Sequence, residues 1–439
     1  MQIYAAGQHE EAKHAFETLA TIGDQSSLFN LGVMHFRGEA VAQNSPRAYA
    51  LMRIASENSN DIEFANAATS IKETLADVEL KLADTLYQEL ILVYGLENIK
   101  RDLLPRLLND EDCPPRLKPI HKEPLTYPRN QQHRMGLVSA EFTISPEGYP
   151  REILVTSYSN KDFAKATLRA LERYRYPPTH GGKPSRERHV SVYHFGHSYG
   201  GTVWARRVSR NLEELREKSE NGDSTAQFEY ARHLNFYRHF NDFILKDKFQ
   251  YRQANEWYTR AASGGVINAQ FEIGRNMLEG RGCEVDRENG FKWIKAAAVG
   301  GFSPAQTFLA TSELAEQASS PQRTRSIISW LRNAAMDEKF GYPAKVLLAW
   351  ELATSSEKSV LNADRALSLI EDTPFNFNDD LRLLETRAAA HALLGNYKKA
   401  VKFQVKAKRI AKRNDWNIKK VNERLALYQQ NKLYVGSYY

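Results

Sequence analysis

The sequence predicts a mostly α protein in which two arrays of helical repeats, or α-solenoids, flank a small α+β domain with a three-stranded antiparallel sheet. Trp257, Trp293 and Trp330 stand 36 and 37 residues apart, and each is followed at +4 and +5 by two alanines, Ala261-Ala262, Ala297-Ala298 and Ala334-Ala335. Self-similarity at this period is the mark of stacked helical hairpins. Residues 138–145 instead alternate with period two, placing Val138, Ala140, Phe142 and Ile144 on one face and polar residues on the other. That pattern belongs to a strand with one buried face. At 439 residues the chain also exceeds what one core supports, so several domains or an elongated array are expected.

The sheet domain is expected over 124–200. Pro124 to Pro128 lead into the alternating strand, Pro146-Glu147-Gly148 breaks it, and Glu152 to Ser157 returns as a hairpin partner. Asn160 suits an N-cap and Asp162 the positive end of a helix dipole. Phe163, Ala166, Ala170, Leu171 and Tyr174 then fall on one helical stripe. Pro177-Pro178 ends that helix, because neither residue can donate to its ladder. After His180-Gly181-Gly182-Lys183-Pro184 a third strand is expected from about Arg188 to Phe195.

These residues carry a resemblance. Tyr127-Pro128, Gly136-x-Val138 to Phe142-x-Ile144, Gly148, the helix ending in Arg175-Tyr176-Pro177, and Gly182-x-Pro184 before a strand ending in Phe195 together resemble a TonB C-terminal domain. The resemblance covers about a sixth of the chain. It implies a three-stranded antiparallel sheet backed by helices, which in that family receives a short extended peptide of an outer-membrane receptor along its last strand.

The flanking segments follow in order. Residues 1–110 are expected to form helical repeats, with Leu31-Gly32, Gly38, Ala48 and Ala55 supplying small residues at helix crossings. A long helix carrying Leu75, Val78, Leu82 and Leu86 on one stripe is expected to seal that array. Residues 111–123 read as a stiff, extended Pro-rich linker. Over 201–343, Ala226-Gln227-Phe228 recurs as Ala269-Gln270-Phe271, and Gly264-Gly265 and Gly300-Gly301 end helices. With Gly280-x-Gly282 between helices, and Ile273-Gly274 matching Leu31-Gly32, the pattern resembles the Sel1-like relatives of the tetratricopeptide repeat. Phe236 to Phe243 lengthens one of its turns. Residues 344–439 hold an ordinary tetratricopeptide-like hairpin at Ala389 to Ala400, turned by Gly395, and a helical cap.

Other features narrow the function. A net charge of +7 over this length argues only a mild preference for anionic surfaces. Cys113 and Cys283 fall in different predicted domains, which argues against a disulfide framework or a metal site. No eighteen-residue apolar run exists, so no membrane span is encoded. Met1 to Tyr4 lead straight into helical sequence rather than a signal peptide. An upstream portion, bearing a targeting signal or anchor, is therefore expected to be missing.

An edge strand presents unpaired N–H and C=O groups to which an extended peptide can add as a further strand. Arg188, His189, Val190, Ser191, Val192, Tyr193, His194 and Phe195 are the candidate edge. The alternative is that the following chain or a repeat helix already covers it. Gln131 and Gln132 fall where the resembling family approaches its receptor peptide, which makes them weak further candidates.

Gly196-His197-Ser198-Tyr199-Gly200 matches a nucleophile elbow. A serine hydrolase needs a parallel sheet and later strands to deliver an acid and a histidine, and only helical repeats follow. His189, His194 and His197 lack a carboxylate or cysteine to complete a metal site, and strand alternation sends the first two to opposite faces. The basic run from Lys398 to Arg413 reads most simply as the solvated face of one helix rather than a site for nucleic acid or anionic lipid.

The expectation is thus a non-enzymatic, periplasmic protein–protein interaction protein, without cofactor, metal or nucleic acid. Its expected partner is a protein or peptide of the cell envelope, such as a TonB-dependent outer-membrane receptor. As an energy-transducer component or an adaptor it would capture an extended peptide by strand addition. The alternatives are a serine hydrolase using Ser198 and a solenoid scaffold with the sheet domain as spacer.

Overall fold

The computed structural model describes residues 2–436 apart from residues 60, 116, 132–135, 179–184, 194–199, 238–248, 316–319, 372–380 and 415. Before the sheet come α1 (Gln2–Ala5), α2 (His9–Ala20), α3 (Gln25–Arg37), α4 (Ser45–Glu57), α5 (Ile62–Lys72), α6 (Asp77–Tyr94) and α7 (Leu96–Leu103). Strands β1 (Gly136–Ile144) and β2 (Pro150–Tyr158) are followed by α8 (Lys161–Leu171) and β3 (Ser185–Tyr193). The chain continues through α9 (Gly200–Glu220), α10 (Ser224–Tyr237), α11 (Tyr251–Ser263), α12 (Ile267–Glu279), α13 (Arg287–Val299) and α14 (Ser303–Ala315). It ends with α15 (Pro321–Ala335), α16 (Tyr342–Thr354), α17 (Ala363–Glu371), α18 (Leu381–Leu393), α19 (Tyr397–Arg413) and α20 (Lys419–Gln429). These elements form two compact units, one of residues 1–114 and 202–305, the other of residues 115–201 and 306–439.

In the first unit, capping and close crossing explain the repeats. Asp24 caps α3 by accepting from the Ser27 N–H at 2.7 Å, and Asp286 caps α13 by accepting from Asn289 at 3.0 Å. Gly32 and Gly274 hold matching places: a Cβ would lie 2.7 Å from Met52 Cγ at the first and 2.7 Å from the Gly290 carbonyl oxygen at the second. Only glycine admits so close an approach of two helices. Trp293 is fully buried in a cluster with Tyr258, Ala261 and Ile273, and that cluster also takes in Ile22, Ile99 and Leu103 from before the sheet. The repeat stretches on either side of the sheet domain in sequence therefore share one core.

Three expectations are corrected in this unit. The Pro-rich stretch is held at its start, where Cys113 Sγ accepts from the Gly282 N–H at 3.1 Å, and the residues just before it pair with the same turn, Leu108 N–H donating to Gly282 O at 3.0 Å and Glu284 N–H to Arg106 O at 2.9 Å. The cysteines are not remote, since the Gly282 N–H donates to Cys113 Sγ at 3.1 Å, beside Cys283. Both are free thiols, and burial pushes the Cys283 thiol up to about 12, leaving it inert as a nucleophile. On α6, Val78 and Leu82 are 79% and 49% exposed, while Ala83, Tyr87 and Leu90 are buried. This helix is apolar on two faces, and the one with a phenol that bonds Glu57 at 2.6 Å won.

The second unit joins the sheet to the C-terminal helices. Ile120 and His121 both donate to the Arg175 carbonyl, at 2.7 and 3.1 Å, which fixes the chain entering the sheet domain. Trp416 Nε1 donates to the Glu172 carbonyl at 3.3 Å, and the Arg175 guanidinium to the Asn414 carbonyl. The C-terminal end of α8 is thereby bonded to the segment between α19 and α20. Trp350, Leu331, Ile370 and Ala390 lie in the large core of α15 to α18.

Burial also pushes the Glu351 carboxyl of α16 up to about 7, against the opposing pull of Arg382. A carboxyl whose folded pKa is raised binds more protons folded than unfolded, so its contribution is fully present below about pH 4.5 and is lost as pH rises through 7. Denaturant melts between pH 4.5 and 8 are expected to show wild type losing up to about 3 kcal/mol relative to Glu351→Gln. Parallel pH profiles for the two proteins would refute this assignment.

Candidate peptide-binding edge

The sheet is antiparallel with order β2-β1-β3, so β1 is central and β3 ends the sheet. Along all nine positions β1 alternates buried and half-buried, and Val138, Ala140, Phe142 and Ile144 are at most 1% exposed. Their face packs on Phe163, Ala170 and Leu171 of α8 and on Tyr174 and Tyr176 beyond it. Burial of large apolar side chains contributes about 1.5–3 kcal/mol each, which fixes β1 in one register.

Several short-range features place α8 there. Asn160 caps it by accepting from Asp162 N–H at 2.8 Å. Gly136 lies against the Phe163 ring so closely that a Cβ would sit 2.5 Å from it, and Tyr127 meets that ring edge-on at 5.6 Å. Tyr127 is thus structural, as its sequence position suggests. Gly148 closes the β1–β2 turn at φ +88° and accepts from Tyr176 N–H at 2.9 Å, bolting the hairpin to the chain after α8.

The two outer strands differ. The β1–β2 register is interrupted between Ser139 and Ala140 and between Glu141 and Thr143. Such bulges bend and twist an edge away from regular pairing. The β1–β3 register runs without interruption from Gly136 opposite Tyr193 to Ile144 opposite Ser185. Of the two edges, β3 is therefore the regular template.

The candidate residues Arg188, His189, Val190, Ser191, Val192 and Tyr193 all lie in β3, opposite Glu141 to Gly136. His194, Phe195, Gln132, Ser198 and the His180 loop lie outside the described residues. Gln131 is corrected: it is 8% exposed, and its Nε2 donates to Asp162 Oδ2 at 3.0 Å, so its amide braces the start of α8 rather than facing a visiting peptide. The β2 irregularities escaped sequence reasoning, for which no residue signal exists in that strand. The Gly148–Tyr176 bond was legible only as two motif residues, not as a pair. The antiparallel sheet is not the parallel platform that a nucleophile elbow at Ser198 requires. Among the described residues no group of histidine, cysteine or carboxylate side chains could hold a metal ion, and no helix is long and apolar enough to cross a membrane.

The chain combines a small antiparallel sheet with stacked helical hairpins, a composition found in protein-interaction modules. Residues 123–195 match the family of the Gram-negative bacterial TonB protein C-terminal domain, and residues 25–60, 224–266 and 267–301 match the Sel1 repeat. Both are non-catalytic modules that imply protein partners. Among solved structures, a Sel1 repeat protein from Oxalobacter formigenes is similar at 15% identity, covering 47% of this chain and 84% of that chain with a TM-score of 0.33. Another is c5321, a protective antigen present in uropathogenic Escherichia coli strains that displays an SLR fold, at 14% identity, 93% and 76% coverage and a TM-score of 0.33. No curated protein matches the chain significantly.

Proposed function

We propose that this chain is a periplasmic interaction protein that captures an extended segment of an envelope or transport protein by adding it as a fourth strand on β3. The observation that carries the reading is that β3 ends the sheet in unbroken register with β1. A TonB-like match over the same residues supports an extended peptide as ligand, and the helical repeats offer further surfaces for protein partners. Whether as a component of energy transduction or as an adaptor, the chain acts through backbone bonds, with affinity from the main chain and selectivity from alternate side chains.

Adjacent residues of a strand point their N–H groups to opposite flanks. Of Ser191→Pro and Val192→Pro, one variant therefore removes an outward donor and spares the β1 ladder, while the other breaks that ladder and lowers the melting temperature. In pull-downs from envelope extract, the variant that melts like wild type is expected to lose partner capture about tenfold or more. Capture unchanged in that variant would sink the proposal.

A further inference from the structure

On several helices of this chain, exposed cations are paired with carboxylates one turn away. Arg53 bonds Glu57 at 2.9 Å, Arg216 reaches Glu213 at 2.7 Å and Glu220 at 3.6 Å, and Lys292 reaches Glu288 at 2.9 Å. Helix α19 differs from these in carrying many cations and no acid. Its seventeen residues contain eight Lys or Arg and no Asp or Glu. Lys398, Lys402, Lys406, Arg409 and Arg413 form one continuous row at spacings of three and four, flanked by Lys399 and Lys412, and all seven are exposed. Among the described residues none of the seven has a carboxylate partner. Like charges at these spacings destabilise a helix, so the row works against the element that carries it.

The opposite face of α19 is fully used. Ala400, Gln404, Ala407, Ile410 and Ala411 are buried in the second unit. The helix therefore has no apolar stripe left to insert anywhere. Its aromatic residues are engaged too: Phe403 stacks on His391 at 5.5 Å, and Tyr397 packs against the large core. A row of cations without exposed aromatics lacks the stacking platform that single-stranded nucleic acid uses. Six of the eight cations are lysines, which act as point charges rather than as the bidentate forks suited to individual phosphates. About 25 Å long, the row suits an extended, uniformly anionic surface.

We infer that the outer face of α19 docks the protein peripherally on an anionic phospholipid leaflet. Neutralisation of the row by headgroups relieves its self-repulsion, and the buried apolar face keeps the contact at the surface. Each cation near such a leaflet is expected to contribute about a fivefold factor in partitioning.

The test is co-sedimentation of the full chain with vesicles of phosphatidylglycerol and phosphatidylcholine, against vesicles of phosphatidylcholine alone, over a range of salt. Wild type is expected to bind only the anionic vesicles and to release as salt shortens the screening length. The triple variant Lys402→Gln, Lys406→Gln, Arg409→Gln is expected to partition about a hundredfold less, with an unchanged or higher melting temperature. Lys402→Arg with Lys406→Arg, which keeps the charge, is expected to bind like wild type. Equal binding to both vesicle types, wild-type binding by the triple variant, or tighter binding to duplex DNA or polyglutamate than to anionic vesicles at the same salt would each overturn the inference. It stands apart from strand capture: the proline variants in β3 are expected to bind vesicles like wild type.

Discussion

Replacing Glu385 with alanine is expected to cost the second unit about 3–5 kcal/mol, because it would leave a buried guanidinium without its counter-charge. The Glu385 and Arg424 side chains are 1% and 2% exposed, with Oε2 and Nη1 3.0 Å apart. Glu385 Oε1 accepts from Gln404 Nε2 at 2.8 Å, and Gln404 also donates to the Val421 carbonyl at 3.0 Å. The Arg424 guanidinium lies over the rings of Trp350 and Tyr434 at 4.8 and 4.7 Å. One carboxylate thus joins α18, α19 and α20. Urea denaturation followed by circular dichroism is the check. The double replacement Glu385→Met with Arg424→Met is expected to recover most of the loss, since removing both charges leaves nothing to neutralise. A single variant as stable as wild type would show that water or another group serves the arginine.

Gly148→Ala is expected to be nearly as damaging to the sheet domain. A Cβ there would lie 2.1 Å from the Tyr176 carbonyl oxygen, and the backbone φ of +88° is one that L side chains avoid. Backbone strain alone costs about 1 kcal/mol. With the turn forced from Tyr176, and the 2.9 Å bond between them lost, a total of about 2–4 kcal/mol is expected. Gly301→Ala separates the two contributions: its φ is +92° with nothing within 4 Å of the new Cβ, so only the strain of about 1 kcal/mol should appear. Thermal melts of the two variants, with envelope pull-down by Gly148→Ala, test this. Equal losses at both sites would mean that the Tyr176 contact is not what the glycine protects.

The parts of the fold legible in the sequence are those set by short-range physics. The alternation of β1, the Asn160 cap, the tight crossings at Gly32 and Gly274 and the tryptophan period each depend on residues within a turn or a hairpin. What escaped depends on which distant surfaces meet. Val78 and Leu82 have the same periodicity as Ala83, Tyr87 and Leu90, and pattern alone cannot say which stripe faces α4. Cys113 and Gly282 are brought together only because the chain after α7 pairs with the turn after α12. Gln131 looked available because nothing local announces a bond to Asp162. The β3 edge was legible as a strand, whereas its contrast with the irregular β2 edge is a property of registers.

Every backbone bond between β3 and the remainder of its sheet runs to β1, along nine opposed residue pairs. Traction applied lengthwise to a peptide seated on β3 would load that ladder in shear, sharing the pull among all its rungs instead of peeling them in turn. From β1 the load reaches α8 through packed side chains, and from α8 it passes into the C-terminal helices through Trp416 and Arg175. A pull on a peptide seated there would thereby reach the C-terminal helices of the second unit.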